Sequence, residues 1–122
     1  MKRENLILDR SFQFAVRIVK LAIYLKKEKK EYTLSQQILR SGTSIGANIT
    51  EAQDAQSKKD FISKCYIALK EARETDYWIR LLIETDYLPK THQKVISIQK
   101  ELDEIISMLI SILKTSKSDN IS

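Results

Sequence analysis

Seven side chains between residues 61 and 82 recur at strictly alternating spacings of four and three positions. They are Phe61, Cys65, Ala68, Ala72, Thr75, Ile79 and Leu82. This spacing places them on one face of an α-helix and is typical of the seam between packed helices. Because the 122 residues include only two glycines and one proline, few positions suit a tight turn. The pattern therefore predicts long helices joined by short connections.

The apolar spacing predicts four amphipathic helices. The first covers about residues 5–27. The second begins after Thr33, for which Gln36 completes a T-x-x-Q capping box, and it ends near residues 54–56. Ser57 is the expected N-cap of the third helix. Four such helices with short loops predict an all-α fold, an up-down-up-down antiparallel four-helix bundle.

The second half of the chain completes this bundle. The third helix is predicted to end near Thr85, and Pro89 fits the first position of a fourth helix that ends near Lys114. The core seam of the fourth helix is Val95, Ile98, Leu102, Ile105, Leu109 and Ile112. We expect residues 1–122 to form a single domain, with the polar tail at 115–122 frayed.

The first helix has two apolar stripes, which is more than one core seam needs. One stripe is Leu8, Phe12, Ala15, Val19 and Ala22, and the second is Phe14, Ile18, Leu21 and Leu25. Either this helix is deeply enclosed, or its second stripe meets another subunit.

The segment RSGTSIGANITEAQ, residues 40–53, contains both glycines of the chain. Glycine inside a helix costs about 1 kcal/mol relative to alanine, so Gly42 and Gly46 indicate that another backbone passes close by. Ala68 and Ala72 on the third helix are small enough to face them. Close helix packing explains this Gly-x-x-x-Gly spacing better than membrane insertion, because no long apolar segment surrounds it.

Polar residues of this segment predict an internal network. Ser41 and Asn48 occupy seam positions, and buried polar groups need partners. We expect one hydrogen-bond and ion-pair network, which sets helix register or, alternatively, forms a functional pocket. Its members are Arg40, Ser41, Asn48, Glu51 and Glu71.

Two sets of basic residues are candidates for contact with phosphate groups, since the formal net charge is +5. The first is the KKEKK run, with Lys26, Lys27, Lys29 and Lys30; a solvated helix end is the other interpretation. The second lies on the third helix, where tyrosines alternate with bases: Tyr66, Lys70, Arg73, Tyr77 and Arg80. Such a stripe could bind unpaired nucleotides, or it could be an ordinary exposed face.

The sequence offers little for catalysis or metal binding. His92 is the single histidine, and Cys65 lies within an apolar seam, so a Cys–His pair would join distant positions. No Glu-x-x-His motif, nucleophile elbow or phosphate-binding glycine loop is present. We therefore expect no enzyme, no metal, no cofactor and no small-molecule substrate. Without a signal-peptide pattern or an apolar span, we expect a cytoplasmic protein with no membrane association.

Residues 40–53 and the third helix resemble segments of a known protein family. RSGTSIGANITEAQ resembles the second-helix signature of the proteins named after intervening sequences of bacterial 23S ribosomal RNA genes, relatives of the accessory protein of diversity-generating retroelements. The third helix matches at Phe61, Ala68, Glu71, Glu74, Thr75, Tyr77 and Trp78. The similarity covers about residues 12–113. Glu51-Ala52 stands where the family often has Glu-Gly, so the second helix is expected to continue to Asp54.

The resemblance implies a left-handed antiparallel bundle that assembles as a homopentameric ring. It also implies association with RNA or with a nucleic-acid-processing protein, such as a reverse transcriptase, in some relatives. The leading hypothesis is a non-enzymatic homo-oligomeric adaptor that binds RNA through basic surface. Its rival is a structural or protein-partner module whose positive charge is incidental. An enzyme that uses the polar network would need an open pocket around Asn48 and Glu51.

Overall fold

The computed structural model describes the backbone of residues 3–121 and the side chains of residues 6–117. Within these residues the chain forms four α-helices and no strand. They are α1 (Arg3–Glu28), α2 (Leu34–Ala52), α3 (Lys58–Glu84) and α4 (Gln93–Ile121). The predicted all-α four-helix fold is confirmed.

Neighbouring helices run in opposite directions. Helix α2 packs between α1 and α3, and α4 closes the bundle against α3 and α1. The order of contacts is reversed along three of the four packed pairs: on α1 and α4, Arg10 meets Glu104 and Arg17 meets Ser97. The same reversal holds for α2 against α1 (Gly42 with Ile18, Gly46 with Ser11) and against α3 (Ser41 with Thr75, Glu51 with Lys64).

The core follows the predicted seams of α3 and α4. All six predicted seam residues of α4 are buried, as are six of the seven on α3, while Phe61 is partly buried against them. The hydroxyls of Ser41 and Thr75 are hydrogen-bonded at 2.9 Å within this core, and both residues are fully buried. This bond links α2 to α3 where an apolar contact would otherwise lie.

Helix α1 buries its second stripe and exposes much of the first. Phe14, Ile18 and Leu25 are fully buried, whereas Phe12 is 64% exposed and Val19 is 40% exposed. Neither predicted alternative holds as stated, because α1 is not deeply enclosed and its second stripe is buried in the protomer's own core. The reason lies on α2, because Gly42 makes room for the branched side chain of Ile18.

Both glycines of α2 face α1, and not the small residues of α3. A Cβ at Gly42 would lie 2.8 Å from both γ carbons of Ile18, and one at Gly46 would lie 3.3 Å from the backbone oxygen of Ser11. Close approach was therefore predicted correctly, but Ala68 and Ala72 are not the partners.

The start of α2 differs from the predicted capping box. The Thr33 side chain makes no capping hydrogen bond, and its backbone is already helical. The buried carboxylate of Glu31 accepts hydrogen bonds from the backbone N–H of Ser35 at 2.8 Å and of Thr33 at 3.3 Å. A carboxylate two residues before the predicted cap thus satisfies the first amides of the helix.

Helix α2 ends at Ala52, earlier than predicted. The next three backbone N–H groups bond to carbonyls three residues back, at 3.1 to 3.2 Å, which tightens the chain into turns. Ser57 then caps α3 as expected, because its hydroxyl accepts a hydrogen bond from the Asp60 N–H at 3.0 Å.

The start of α4 was also predicted incorrectly. Pro89 lies in the connecting loop, and α4 begins only at Gln93. The Nδ1 atom of His92 accepts a hydrogen bond from the Lys94 N–H at 3.1 Å, so histidine fills the capping position. At its other end α4 continues through Ile121, seven residues beyond the predicted end at Lys114.

Across the residues that the structure describes, none of the four helices carries an apolar stretch long enough to cross a membrane.

Candidate nucleic-acid interface

The KKEKK run spans the end of α1 and the turn to α2: Lys26 and Lys27 lie in the last turn of the helix, and Lys29 and Lys30 follow it. Helix α1 ends at Glu28, and Lys30 adopts a left-handed backbone conformation with φ of 53°. The Glu31 N–H bonds back to the Leu25 carbonyl at 3.0 Å, which folds the turn onto the end of α1. The run is therefore held at one end of the bundle.

Most of the lysines in this turn are free to meet a partner. Lys26 donates a hydrogen bond to Gln36 at 3.2 Å. Lys27, Lys29 and Lys30 are exposed, and no described residue pairs with their ammonium groups. The predicted phosphate-binding lysines are thus accessible.

Three further lysines lie at the same end of the bundle and were missed from the sequence. Because α4 runs antiparallel to α1, its beginning lies beside the end of α1. Lys94 and Lys20 line a cleft between these two helices, and Lys90 shares a neighbouring depression with Lys29. Lys20 lies on α1 shortly before Lys26, whereas only the antiparallel pairing of α1 with α4 brings Lys90 and Lys94 close to it. We call the seven lysines at this end the basic end: Lys20, Lys26, Lys27, Lys29, Lys30, Lys90 and Lys94.

The cleft between α1 and α4 has a volume of about 490 Å³. Four basic side chains and no Asp or Glu line it: Arg17, Lys20, His92 and Lys94. The remaining lining is apolar or aromatic: Leu21, Tyr24, Leu88, Pro89, Val95 and Ile98. The arrangement suits an anion that also has an apolar part.

Arg17 holds the two walls of this cleft together. Its guanidinium donates to Ser97 Oγ at 3.1 Å and to the Lys94 carbonyl at 3.2 Å, and it lies 3.5 Å from Glu101. These α4 acceptors occupy much of the donor capacity of Arg17. The side chains left to bind an anion are therefore Lys20 and Lys94.

The depression next to the cleft is lined by both basic and acidic side chains. Tyr24 lines both cavities, and in the second one Lys29 and Lys90 lie with Glu84 and Asp86. The carboxylates offset the lysines there, so the α1–α4 cleft is the more favourable place for an anion.

The stripe on α3 is exposed but partly engaged. Arg80 bonds Asp76 through Nε at 3.1 Å, and Tyr77 packs edge-on against Trp78 at 5.0 Å between ring centroids. Lys117 lies over the Tyr66 ring and also bonds its hydroxyl. Within the described part of the chain, Lys70 and Arg73 are the members of the stripe without a side-chain partner. The structure thus places only these two as open phosphate ligands on α3.

The predicted polar network is divided into separate parts. Arg40 does bond Glu71, at 3.2 Å, but it also bonds Glu74, which the prediction omitted. Trp78 donates its indole N–H to Glu74 at 2.9 Å and extends this group along α3. This first part of the network is a surface cluster between α2 and α3, since the Arg40 side chain is 48% exposed.

The other members of the predicted network lie elsewhere. Asn48 donates to the Ser44 carbonyl of its own helix at 2.8 Å, and Glu51 bonds Lys64 at 3.0 Å. The prediction of a single network was wrong because these side chains are only partly buried or exposed, and they find local partners. Ser41, by contrast, pairs with Thr75 in the core.

The ion pair with Glu51 displaces the titration of Lys64. Its hydrogen bond and charge attraction to Glu51, with a smaller contribution from Asp60, raise the pKa of the Lys64 ammonium above 10.5.

No group of three or more metal-binding side chains occurs among the described residues. Cys65 is buried in the core, and His92 caps α4, as described above. Asn48 and Glu51 line neither of the two cavities at the basic end.

Comparison with known proteins agrees with this architecture. Residues 3–111 match the family described as 23S rRNA-intervening sequence protein. A solved structure from Bacteroides thetaiotaomicron, described as a protein of unknown function from the S23 ribosomal protein family, is 55% identical. That similarity covers 93% of this chain and 99% of the other, with a TM-score of 0.88. Among curated proteins, none matches this chain.

Proposed function

The chain belongs to the 23S rRNA-intervening sequence protein family, and from this premise we propose that it is a non-enzymatic, homo-oligomeric adaptor that binds RNA. The observation that carries the proposal is the basic end. Seven lysines from α1, α4 and two loops lie together there, although they span residues 20–94 of the sequence.

Charge at the basic end favours phosphate binding. Exposed lysines release counterions when they bind a nucleic-acid backbone, so their affinity is largely independent of sequence and falls steeply with salt. Lys70 and Arg73 on α3 supply a second basic surface for a strand that extends along the bundle.

Four apolar side chains along the outer face of α1, which we call the exposed stripe, support assembly. Phe12, Val16, Val19 and Ile23 recur at spacings of four, three and four, and Phe12 and Ile23 are 64% and 57% exposed. An apolar row of this length on a protomer indicates a protein interface. If this row meets a different surface of the next copy, the contact is heterologous and can close a ring. The homopentamer implied by the family resemblance is the assembly that we propose.

Binding to RNA is tested by fluorescence anisotropy of a labelled structured RNA between about 50 and 200 mM salt. We expect the K27E/K29E variant to bind weakly and its salt slope to fall by about two. The control variant K100E/K114E changes net charge equally but on exposed positions of α4 away from the KKEKK turn. Equal loss in both variants would show a general charge effect, and no RNA binding by the wild type at low salt would remove the proposal.

Assembly is tested by light scattering on the F12S/I23S variant. Both side chains are exposed in the protomer, so the variant should fold while its assembled mass falls to that of a smaller species. Tyr32 is 61% exposed outside the stripe, which makes Y32S the matched control. An unchanged mass for F12S/I23S would exclude the stripe as the interface.

A protein-partner module is the second candidate. Tyr66, Ile67 and Tyr77 are exposed on α3, and aromatic residues are enriched at protein interfaces. This function predicts an intact assembly that ignores RNA at every salt concentration.

A further inference from the structure

We propose that the cleft between α1 and α4 holds one unpaired nucleotide of the bound RNA, with its base against Tyr24 and a phosphate on Lys20 and Lys94. This inference rests on the proposed function, because it names the form of RNA that the basic end recognises. It adds a specific pocket to a surface that would otherwise bind phosphate alone.

The charge of the cleft fits a phosphate. No Asp or Glu lines the cleft, and the ammonium groups of Lys20 and Lys94 have no partner among the described residues. Arg17 is held by Ser97, the Lys94 carbonyl and Glu101, so it fixes the distance between the walls. Two free lysines on opposite walls can therefore bind one anion from both sides.

The apolar lining fits a base. Tyr24 is 40% exposed and borders the cleft, while Leu21, Val95 and Ile98 contribute apolar surface. Bases of single strands stack on aromatic rings regardless of their identity. A simple phosphate or sulfate would leave this surface in contact with water, whereas a nucleotide would cover it.

The size of the cleft suits a single base, and the geometry of duplex RNA favours an unpaired one. Its volume of about 490 Å³ lies within the range of pockets that hold small organic molecules. In an A-form duplex the bases remain stacked inside the helix, so only a loop, bulge or single strand can insert one. The KKEKK turn at the same end would bind the phosphates on either side of the inserted nucleotide.

The test compares a single-stranded RNA with a duplex of equal length in anisotropy measurements at one salt concentration. Y24L keeps an apolar side chain but removes the ring. We expect it to weaken single-strand binding about tenfold and leave duplex binding unchanged. Y32L removes an exposed ring that does not line the cleft and should change neither affinity. Circular dichroism melting confirms that each variant folds.

Equal binding of both RNAs, with no effect of Y24L, would overturn the nucleotide pocket and leave the proposed function in place. Failure of the wild type to bind any RNA would overturn both. A second measurement separates these cases: adenosine monophosphate should shift the NMR signals of the Leu88 and Val95 methyl groups in the wild type and not in Y24L. The same shifts with inorganic phosphate, or no shifts with either probe, would also overturn the nucleotide assignment.

Discussion

The backbone of α2 at Gly42 lies directly on the side chain of Ile18 in α1. A methyl group at Gly42 would come within 2.8 Å of two carbons of Ile18. Isoleucine in a helix has one strongly preferred rotamer, so Ile18 cannot turn aside. This contact sets the distance between α1 and α2 and selects the stripe of α1 that is buried.

Replacing Gly42 with alanine should therefore destabilise the protein. Overpacking costs about 1–3 kcal/mol, while the gain in helix propensity returns about 1 kcal/mol. We expect a net loss of up to about 2 kcal/mol in the free energy of unfolding, measured by urea denaturation. G46A is the matched comparison: its Cβ would meet the Ser11 backbone oxygen at 3.3 Å, a milder overlap than the one at Gly42, so its loss of stability should be smaller. A G42A variant as stable as G46A would contradict this account of the contact.

Glu31, and not Thr33, should be the residue that stabilises the start of α2. E31A removes the acceptor of two backbone N–H groups and should cost about 1–2 kcal/mol in the free energy of unfolding. T33A should change it by less than about 0.5 kcal/mol, since the Thr33 side chain makes no capping bond. Thermal unfolding of both variants shows which of them loses more stability. A larger loss for T33A would restore the predicted capping box.

The buried pair of Ser41 and Thr75 should show strong non-additivity. T75V leaves the Ser41 hydroxyl buried without its partner on α3 and should cost about 1–2 kcal/mol in the free energy of unfolding. In S41A the Thr75 hydroxyl keeps its bond to the Glu71 carbonyl at 2.8 Å, so the cost should be smaller. The double variant removes both hydroxyls and should lose less than the sum of the two single losses. Strict additivity in a double-mutant cycle would show that the hydroxyls do not interact.

The pair of Lys64 and Glu51 should be visible in an alkaline titration. Because the pKa of Lys64 is raised in the folded state, the pair contributes stability that is fully present below pH 10.5. That contribution is lost as the pH rises through the folded-state pKa. NMR titration of the Lys64 side chain should give a lower pKa in E51Q than in the wild type, and added salt should reduce the difference. Lys100, an exposed lysine without such a partner among the described residues, is the internal reference. Equal pKa values for Lys64 in E51Q and in the wild type would exclude the interaction.

The spacing of apolar residues within each helix was sufficient to predict the four-helix architecture. The alternating spacing on α3 and α4 identified the core residues of both helices, and the short polar side chain of Ser57 identified one cap. These features depend on residues within one or two turns of each other, so their physics is contained in short stretches of sequence.

The candidate site needed the tertiary structure. Two stripes of α1 have the same periodicity, and only the shape of α2 at Gly42 chose between them. Likewise, Lys90 and Lys94 lie beside Lys20 and the KKEKK run only because the start of α4 packs against the end of α1. Periodicity states which residues can share a face of one helix. It does not state which face a partner covers, because that depends on the fit between helices that are distant in the sequence.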